Sequence, residues 1–307
     1  MPTINRIAVI GAGLMGHGIA LACARAGFDV TITDPIPDAR ISVKTRIAES
    51  LSLLGIGKAE IEAALEKIDV CPDVREAVEN AGLVFEAAPE KLALKQSIFA
   101  EIETYAPQDA ILASNTSVMP ITAIMSQLKD KGRALGTHWW NPPHIIPLVE
   151  VIRTAETTED TMATTIAVLT QAGKTPVRVE KDVPGFIGNR LQHALWREAI
   201  SLVERGICDA RAVDTVVKAS FGRRLAVLGP LENADLVGCD LTLDIHNTVL
   251  ADLERRAGPS PLLEELVATG RLGMKTGDGF RSWSPEEAKA LREKVVTHLR
   301  RLEQILD

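Results

Sequence analysis

Cysteine is scarce in this sequence, with only four among 307 residues. Cys23, Cys71, Cys208 and Cys239 lie far apart and form no C-x-x-C pair. Four such cysteines are too few to stabilise a chain of this length through disulfides. We therefore expect free, mostly buried thiols in a reducing compartment, which favours a cytoplasmic location.

The sequence also lacks an excess of basic residues, since 34 Lys and Arg stand against 41 Asp and Glu and the formal charge is -7. No long basic run offers a patch for a phosphate backbone, which argues against nucleic acid as a partner. No apolar stretch reaches about 18 residues and no secretion signal is visible, so we expect no membrane association. No cluster of His, Cys and carboxylates has metal-ligand spacing, so we expect no metal.

The remaining composition, 46% hydrophobic and 24% charged, is typical of a globular protein. The chain is about twice as long as a usual domain, which favours two domains. Its first part alternates β-branched runs with segments of helical periodicity, a pattern that predicts a parallel sheet covered by helices on both faces. The predicted strands are 6–10, 29–33, 83–85, 111–113, 134–137, 148–152 and 177–179, and the helices between them include 14–26 and 92–105.

Strand patterns stop after residue 179, and the remainder has the periodicity of helices at 186–205, 210–220, 241–256 and 285–306. Ser284 is a candidate N-cap for the last helix, followed by Pro285 at its first position. We predict an N-terminal doubly wound α/β domain over residues 1–183. An all-α domain over residues 184–307 follows it.

A glycine-rich motif follows the first predicted strand and opens the first helix: Gly11, Ala12, Gly13, Leu14, Met15 and Gly16. This context makes G-x-G-x-x-G informative. The first glycine permits the tight turn, the second lets the backbone approach a pyrophosphate, and the third lets helix and strand pack closely. The motif predicts a Rossmann-type dinucleotide site.

Asp34 ends the second predicted strand, in the position where a carboxylate accepts hydrogen bonds from the adenosine ribose. Its charge would repel a 2'-phosphate, and neither Pro35 nor Ile36 supplies a compensating arginine. NAD is therefore favoured over NADP.

His138 directly follows the predicted strand 134–137 and precedes the rigid turn Trp139-Trp140-Asn141-Pro142-Pro143. Parallel sheets bind ligands at the carboxyl edge of their strands, where this histidine would lie. Considered alone, such a histidine is more often structural than catalytic.

A set of ordered motifs resembles the L-3-hydroxyacyl-CoA dehydrogenase family over about residues 5 to 283. Besides the glycine motif, they are Ser114-Asn115-Thr116-Ser117, His138-Trp-Trp-Asn141-Pro142, Leu148-Val149-Glu150-Val151, Pro184-Gly185-Phe186-Ile187-Gly188-Asn189-Arg190 and Gly273-Met-Lys275-Thr276-Gly277-Asp-Gly279-Phe280. The resemblance implies that His138 is the general acid and base and that Glu150 orients it. It also implies that Ser117 and Asn189 hydrogen-bond the reacting oxygen.

The same resemblance places further residues against the cofactor or the substrate. It implies that Glu90 and Lys95 lie near the nicotinamide ribose. Asn115 and Ser117 then border the cofactor, and Asn141 lines the cleft shared by cofactor and substrate. These roles suit alcohol oxidation, in which a base removes the hydroxyl proton while hydride leaves the same carbon.

A different group of dehydrogenases joins this fold to a helical domain but uses a lysine one turn before an asparagine. Residues 185–197 contain no lysine, which argues against that group. His193 lies one turn after Asn189, and we interpret it as structural or cleft-lining. A non-catalytic NAD-binding structural protein is a further alternative, and the intact His138, Glu150, Ser117 and Asn189 argue against it.

The substrate is less defined. Family members that accept CoA thioesters carry a lysine-rich segment after the second strand, whereas residues 38–69 here balance basic with acidic residues. His138-Trp139-Trp140 also replaces the family's His-Phe-Phe and is more similar to relatives that oxidise free hydroxy acids. We slightly favour a small free hydroxy acid, with a 3-hydroxyacyl-CoA as the alternative. Arg223 or Arg224 could bind a substrate carboxylate, although a solvated helix end is the favoured interpretation.

The predicted helix 186–205 carries more apolar residues than one intrachain face requires. The resemblance also implies dimers formed through the helical domain. We therefore expect a homodimer.

Overall fold

A computed structural model describes residues 4–306. The chain forms two compact units. The first comprises the chain up to Arg190 together with the C-terminal end from Leu299, and the second comprises Leu191–His298. The functional boundary between residues 183 and 184 remains a prediction.

The first unit contains one eight-stranded sheet with the order β3-β2-β1-β4-β5-β6-β7-β8. The strands are β1 Arg6–Ile10, β2 Asp29–Thr33, β3 Ile68–Val70, β4 Leu83–Glu86, β5 Ile111–Ser114, β6 Ala134–Trp139, β7 Leu148–Ile152 and β8 Thr175–Val179. All neighbours pair in parallel except β6 and β7, which are antiparallel. The doubly wound α/β class predicted from the sequence is confirmed.

Helices cover both faces of this sheet. They are α1 Leu14–Arg25, α2 Pro37–Leu53, α3 Lys58–Glu66, α4 Val74–Val78, α5 Leu92–Tyr105, α6 Ile121–Ile124 and α7 Glu159–Gln171. Alternate residues of a strand point to opposite faces, so Ile7 and Val9 of β1 belong to one core and Ala8 and Ile10 to the other. The carboxyl ends of the central strands are thereby fixed from both sides.

Three details of the sheet differ from the prediction. The short strand β3 was missed, because only its first residue is buried and so no apolar alternation marks it. The sheet is parallel as predicted except between β6 and β7, which are joined by a loop without the crossover helix that a parallel pair needs. His138 lies within β6 rather than after it.

The second unit is helical. Helix α8, Gly188–Glu204, begins in the first unit and continues into the second, where α9 Ala210–Ala219, a 3-10 turn Phe221–Arg223, α10 Pro230–Val237, α11 Cys239–Val249 and α12 Pro261–Ala268 follow. Helix α13, Pro285–Leu306, is preceded by a reciprocal capping box between Ser284 and Glu287.

The predicted helix 241–256 ends earlier than expected, at Val249, in a turn. Within residues 4–306, no helix combines the length and apolar character needed to cross a bilayer.

Candidate active site

The glycine motif forms the turn between β1 and α1. Gly11 has a positive φ of 108°, and a Cβ there would lie 2.7 Å from the Ala87 carbonyl oxygen. At Gly16 a Cβ would lie 1.7 Å from the Gly11 carbonyl oxygen. The N-cap is Gly13, where a Cβ would meet no described atom within 4 Å, so the helix N-terminus is open at this residue. This arrangement fits the pyrophosphate of NAD, whose negative charge the helix N-terminus stabilises.

Asp34 directly follows β2 and holds the glycine motif in place. Its Oδ2 accepts the Ala12 N–H at 2.8 Å, and its Oδ1 accepts the Ile36 N–H at 2.9 Å. Each carboxylate oxygen can accept a second hydrogen bond, which suits the ribose hydroxyls of NAD. The structure also brings Arg40 to this point, where its guanidinium donates to the Asp34 carbonyl oxygen. Arg40 was not identified from the sequence, because it lies beyond the two residues that follow Asp34.

His138 and Glu150 face each other directly across the antiparallel pair β6 and β7. Residues directly opposite on one face of a sheet have close Cβ atoms. His138 Nδ1 lies 2.7 Å from Glu150 Oε2, and both side chains are buried. This pairing fixes the imidazole's orientation and directs Nε2 away from the carboxylate.

Four groups surround the Glu150 carboxylate. Oε1 accepts the N–H groups of Ile187 at 2.8 Å and Gly188 at 3.0 Å, where α8 begins. Oε2 accepts from His138 and, at 3.4 Å, from the indole N–H of Trp140. Burial alone would raise the pKa of Glu150, but the hydrogen bonds from His138, Gly188 and Ile187 outweigh burial and lower it. The carboxylate is therefore held in its charged form.

Two aromatic rings contact the His138 imidazole. The Trp140 ring centroid lies 5.1 Å from that of His138, and the Phe186 centroid lies at 5.6 Å. Phe186 has a positive φ of 50°, the left-handed region that non-glycine residues seldom adopt. The preceding Gly185 also has a positive φ, of 74°. This unusual turn aims the next two N–H groups at Glu150, so local backbone strain is used to position the carboxylate.

Ser117 is held by its backbone on two sides. Its N–H donates to Glu90 Oε1 at 2.6 Å, and its carbonyl oxygen accepts from Asn189 Nδ2 at 2.7 Å. The hydroxyl of Thr116 also donates to Glu90. The structure thus connects three predicted residues that are far apart in sequence, Glu90, Ser117 and Asn189.

The other predicted residues of the first unit are placed as follows. Asn115 is buried, and its Oδ1 accepts the backbone N–H of Trp139 at 3.0 Å. Asn141 is exposed in the loop after β6, and Leu14 and Met15 open α1. Lys95 is fully buried, and its Nζ donates to Glu86 and to the Ala88 carbonyl oxygen. Its contact with the cofactor remains a prediction.

Arg223 and Arg224 belong to the second unit, where they lie at the end of the 3-10 turn with exposed side chains. Their contact with a substrate remains a prediction. His193 also belongs to the second unit, and its ring packs on that of Trp196 with centroids 4.9 Å apart.

Comparison with known proteins identifies the family. Residues 6–183 match the family described as 3-hydroxyacyl-CoA dehydrogenase, NAD binding domain, and residues 185–283 match its C-terminal domain. The chain belongs to the 3-hydroxyacyl-CoA dehydrogenase family. It is an NAD-dependent dehydrogenase that acts on a hydroxyl group, which confirms the predicted enzyme class and cofactor.

Several family members are similar over most of their length. The chain is 37% identical over 305 residues to the 5-formyl-3-hydroxy-2-methylpyridine 4-carboxylate 5-dehydrogenase of Mesorhizobium japonicum, with 99% of each chain covered. It is 39% identical over 241 residues to the L-carnitine dehydrogenase of Streptomyces griseus, covering 76% of this chain and 70% of the relative. It is 36% identical over 282 residues to a probable 3-hydroxybutyryl-CoA dehydrogenase of Bacillus subtilis, covering 90% and 96%.

A crystal structure of a 5-formyl-3-hydroxy-2-methylpyridine 4-carboxylic acid 5-dehydrogenase, described as an NAD+-dependent dismutase, has a TM-score of 0.91 to this chain. The two are 36% identical, with 99% of each covered. The likeness therefore extends through both parts of the 3-hydroxyacyl-CoA dehydrogenase architecture.

Besides Arg40, three groups at this site were not identified from the sequence. Glu86 ends β4 with no motif to mark it, although a carboxylate after three apolar residues is an available signal. The indole N–H of Trp140 was not recognised as a partner of Glu150. Asp182 accepts the first N–H groups of α6 and so connects the segment before α8 to the segment after Ser117.

Proposed function

We propose that this dehydrogenase oxidises the secondary alcohol of a small free hydroxy acid. The observation that carries the chemistry is the buried pair of His138 and Glu150, with Nδ1 and Oε2 2.7 Å apart. When bound, NAD supplies the hydride acceptor. The chain's own residues supply proton transfer and orientation.

In this proposal His138 removes the hydroxyl proton through Nε2. Glu150 holds the hydrogen on Nδ1, which leaves the lone pair on Nε2, and it stabilises the imidazolium that forms. Because Glu150 is fixed by the backbone at the start of α8, the imidazole needs little reorganisation when it accepts the proton. In the reverse direction the same imidazolium returns the proton.

Ser117 and Asn189 are proposed to hold the reacting oxygen. One N–H of the Asn189 amide donates to the Ser117 carbonyl, and an amide carries a second N–H for another acceptor. The Ser117 hydroxyl can donate to the same oxygen. Their mutual hydrogen bond supports an arrangement in which both act on one atom.

The choice of a free acid is supported by the cations on α2 and α3. Each of the basic residues expected to attract the phosphates of CoA has a partner within the chain. Lys44 donates to the Leu65 carbonyl, Arg46 to the carbonyls of Ala12 and Ala39, Lys58 pairs with Glu62, and Lys67 pairs with Asp29. Carboxylates offset the charges of Lys58 and Lys67, and backbone carbonyls occupy donors of Lys44 and Arg46, so these groups are less available to a polyanionic tail. L-Carnitine dehydrogenase and the pyridine carboxylate dehydrogenase also have free carboxylates in their named substrates.

A 3-hydroxyacyl-CoA is the second candidate substrate. The probable 3-hydroxybutyryl-CoA dehydrogenase that is 36% identical supports it. The two candidates differ in the charge and length of the group attached to the same reacting carbon. A direct comparison therefore separates them.

We also propose a homodimer formed through the helical unit. Among the described residues of that unit, the buried hydrophobic side chains are those of Leu266 and Ala288. Val227 is 77% exposed, Leu231 79% and Leu236 72%. Such a unit lacks an apolar core of its own, and a second copy would cover these side chains. A monomer in light scattering would contradict this proposal.

A cytoplasmic location is proposed from the cysteines. All four are free, and Cys23 and Cys71 are buried. Burial raises the pKa of the Cys23 thiol to about 12 and that of Cys71 to about 11, so both stay protonated. Unpaired thiols are typical of reducing compartments.

The test is NADH formation by the purified protein with NAD and two matched panels, free hydroxy acids that include L-carnitine and L-3-hydroxyacyl-CoA thioesters. We expect turnover with free acids and a loss in His138→Ala. Turnover confined to thioesters would contradict the substrate class and retain the enzyme class. Activity that persists in His138→Ala would contradict the catalytic assignment.

A further inference from the structure

A buried ion pair lies beside the candidate active site and has no part in the proposed proton transfer. Glu86 ends β4 and Lys95 lies in the first turn of α5, and both side chains are completely buried. Burying two charges is costly unless their hydrogen bonds are satisfied. Replacement by apolar residues is often neutral or stabilising, so stability alone does not explain such a pair.

The pair ties several segments together. Glu86 Oε1 accepts from Lys95 Nζ at 2.8 Å and from the Ala88 N–H at 2.6 Å. Oε2 accepts from Lys95 at 3.1 Å and from the Ser114 hydroxyl at 2.6 Å. Lys95 also donates to the Ala88 carbonyl at 3.1 Å. The carboxylate thereby joins the end of β4, the segment after it, α5 and the end of β5.

The same ammonium also lies near the residue that holds Ser117. Lys95 Nζ is 3.8 Å from Glu90 Oε2. Glu90 Oε1 in turn accepts the Ser117 N–H at 2.6 Å. An unbroken chain of charge and hydrogen-bond contacts therefore runs from Glu86 through Lys95 and Glu90 to the Ser117 backbone. Because Lys95 lies between two carboxylates, its position depends on both.

We propose that Glu86 is a positioning residue, which fixes Lys95 so that Glu90 holds the Ser117 segment in place. This inference rests on the proposed function only in giving Ser117 a role at the reacting oxygen. The positioning itself concerns the free protein. In this proposal Lys95 acts as the link between the carboxylates of Glu86 and Glu90.

The test measures amide hydrogen exchange of residues 115–122 in the free protein, together with stability in urea. Glu86→Gln removes the charge of the carboxylate, and the double variant Glu86→Gln/Lys95→Met removes both charges. The matched control is Glu103→Gln, which removes a carboxylate that accepts the N–H groups of Lys129 and Asp130 elsewhere in this unit.

We expect exchange of residues 115–122 to accelerate at least about tenfold in Glu86→Gln and to stay near the wild-type rate in Glu103→Gln. In the double variant we expect stability to recover while exchange stays fast, because the ammonium of Lys95 no longer contacts Glu90. Recovery of slow exchange together with stability would show a purely structural pair and overturn the proposal. Unchanged exchange in folded Glu86→Gln would also overturn it.

A second readout separates this inference from the proposed function. With whichever hydroxy substrate is turned over, we expect kcat to fall at least about tenfold in both Glu86 variants and to hold within about twofold in Glu103→Gln. If no hydroxy substrate is turned over, the proposed function fails. The exchange measurement still decides the role of Glu86.

Discussion

Replacing Glu150 by glutamine tests the proposed dyad most directly, because the substitution keeps the shape of the side chain and removes its charge. Donors approach both carboxylate oxygens, from Ile187 and Gly188 on one side and from His138 and Trp140 on the other. A glutamine offers one oxygen and one NH2 group. Whichever way the amide turns, one pair of donors faces an N–H.

The consequences for activity and stability follow from this mismatch. If the NH2 faces His138, the imidazole must accept at Nδ1 and carry its hydrogen on Nε2, which blocks proton removal. The loss of kcat should then be roughly 10³- to 10⁴-fold, as for the wrong tautomer in a catalytic triad. If the NH2 faces the start of α8, two backbone donors lose their acceptor. Leaving buried donors unsatisfied should cost about 2 kcal/mol or more of unfolding free energy.

The stability loss should depend on pH in a defined direction. The pKa of Glu150 is held below its ordinary value of 4.5, so the native state favours the charged form. That contribution is present above pH 4.5 and is lost as pH falls through the folded-state value. The difference in unfolding free energy between wild type and Glu150→Gln should therefore stay constant from neutral pH down to about pH 4.5 and shrink only below pH 4.5.

The assay combines steady-state kinetics, NADH fluorescence titration and urea unfolding at several pH values. Glu159→Gln, at an exposed carboxylate paired with Arg178, is the control and should leave kcat unchanged. NADH affinity should stay within about threefold, since the glycine motif is untouched. A kcat loss below about tenfold together with an unfolding free energy within about 1 kcal/mol of the wild type would refute the reasoning, because neither orientation of the amide allows both.

Three further predictions follow from contacts at the edges of the site. Burial, followed by the charges of His17, Lys174 and Arg25, lowers the pKa of His144 from 6.5 to about 4. As pH falls, the unfolded chain therefore binds a proton at His144 before the folded chain does. The unfolding free energy of the wild type should fall by about 1 kcal/mol from pH 7 to pH 5, after discounting for solvent exposure, and should fall less in His144→Gln. An equal fall in both proteins would contradict this prediction. Asp34→Asn removes the charge that repels a 2'-phosphate and leaves Arg40 beside residue 34. The ratio of NADPH affinity to NADH affinity should therefore rise at least about tenfold in fluorescence titrations. An unchanged ratio would show that another group selects the cofactor. Trp140→Phe removes a long hydrogen bond of 3.4 Å to Glu150. It should lower the unfolding free energy in urea by less than about 1 kcal/mol and change kcat less than about threefold. A larger loss of either would assign the indole N–H a stronger role.

Local patterns were sufficient to predict much of the fold. The strands β1, β2 and β7 have the predicted bounds, because short runs rich in β-branched residues are typical of strands. The glycine motif was recognisable because the backbone turn that requires its glycines spans only a few residues. Strand β3 was not predicted because its side chains are mostly exposed, and backbone pairing with β2 stabilises it instead.

Contacts between distant segments explain what sequence reasoning could not derive. The residue types of Ser117, Glu90 and Asn189 are compatible with many roles, and only the family resemblance suggested that they meet. The backbone hydrogen bonds at Ser117 depend on the ends of three different elements reaching one place. Glu86 and Lys95 could not be paired from sequence, since a charged residue at a strand end and another on a helix are each ordinary on a surface.

The reversal of one strand explains how this sheet builds a histidine and carboxylate pair. In a parallel sheet the residue that follows the last position of each strand lies at the carboxyl edge, and the next strand starts at the opposite edge. Because β7 runs antiparallel to β6, its first residues return to that same edge, and Glu150 lies opposite His138. The other oxygen of Glu150 then faces the backbone at the start of α8. One carboxylate can therefore orient the proposed base and anchor the helix that carries Asn189, which couples the two sides of the proposed oxygen site.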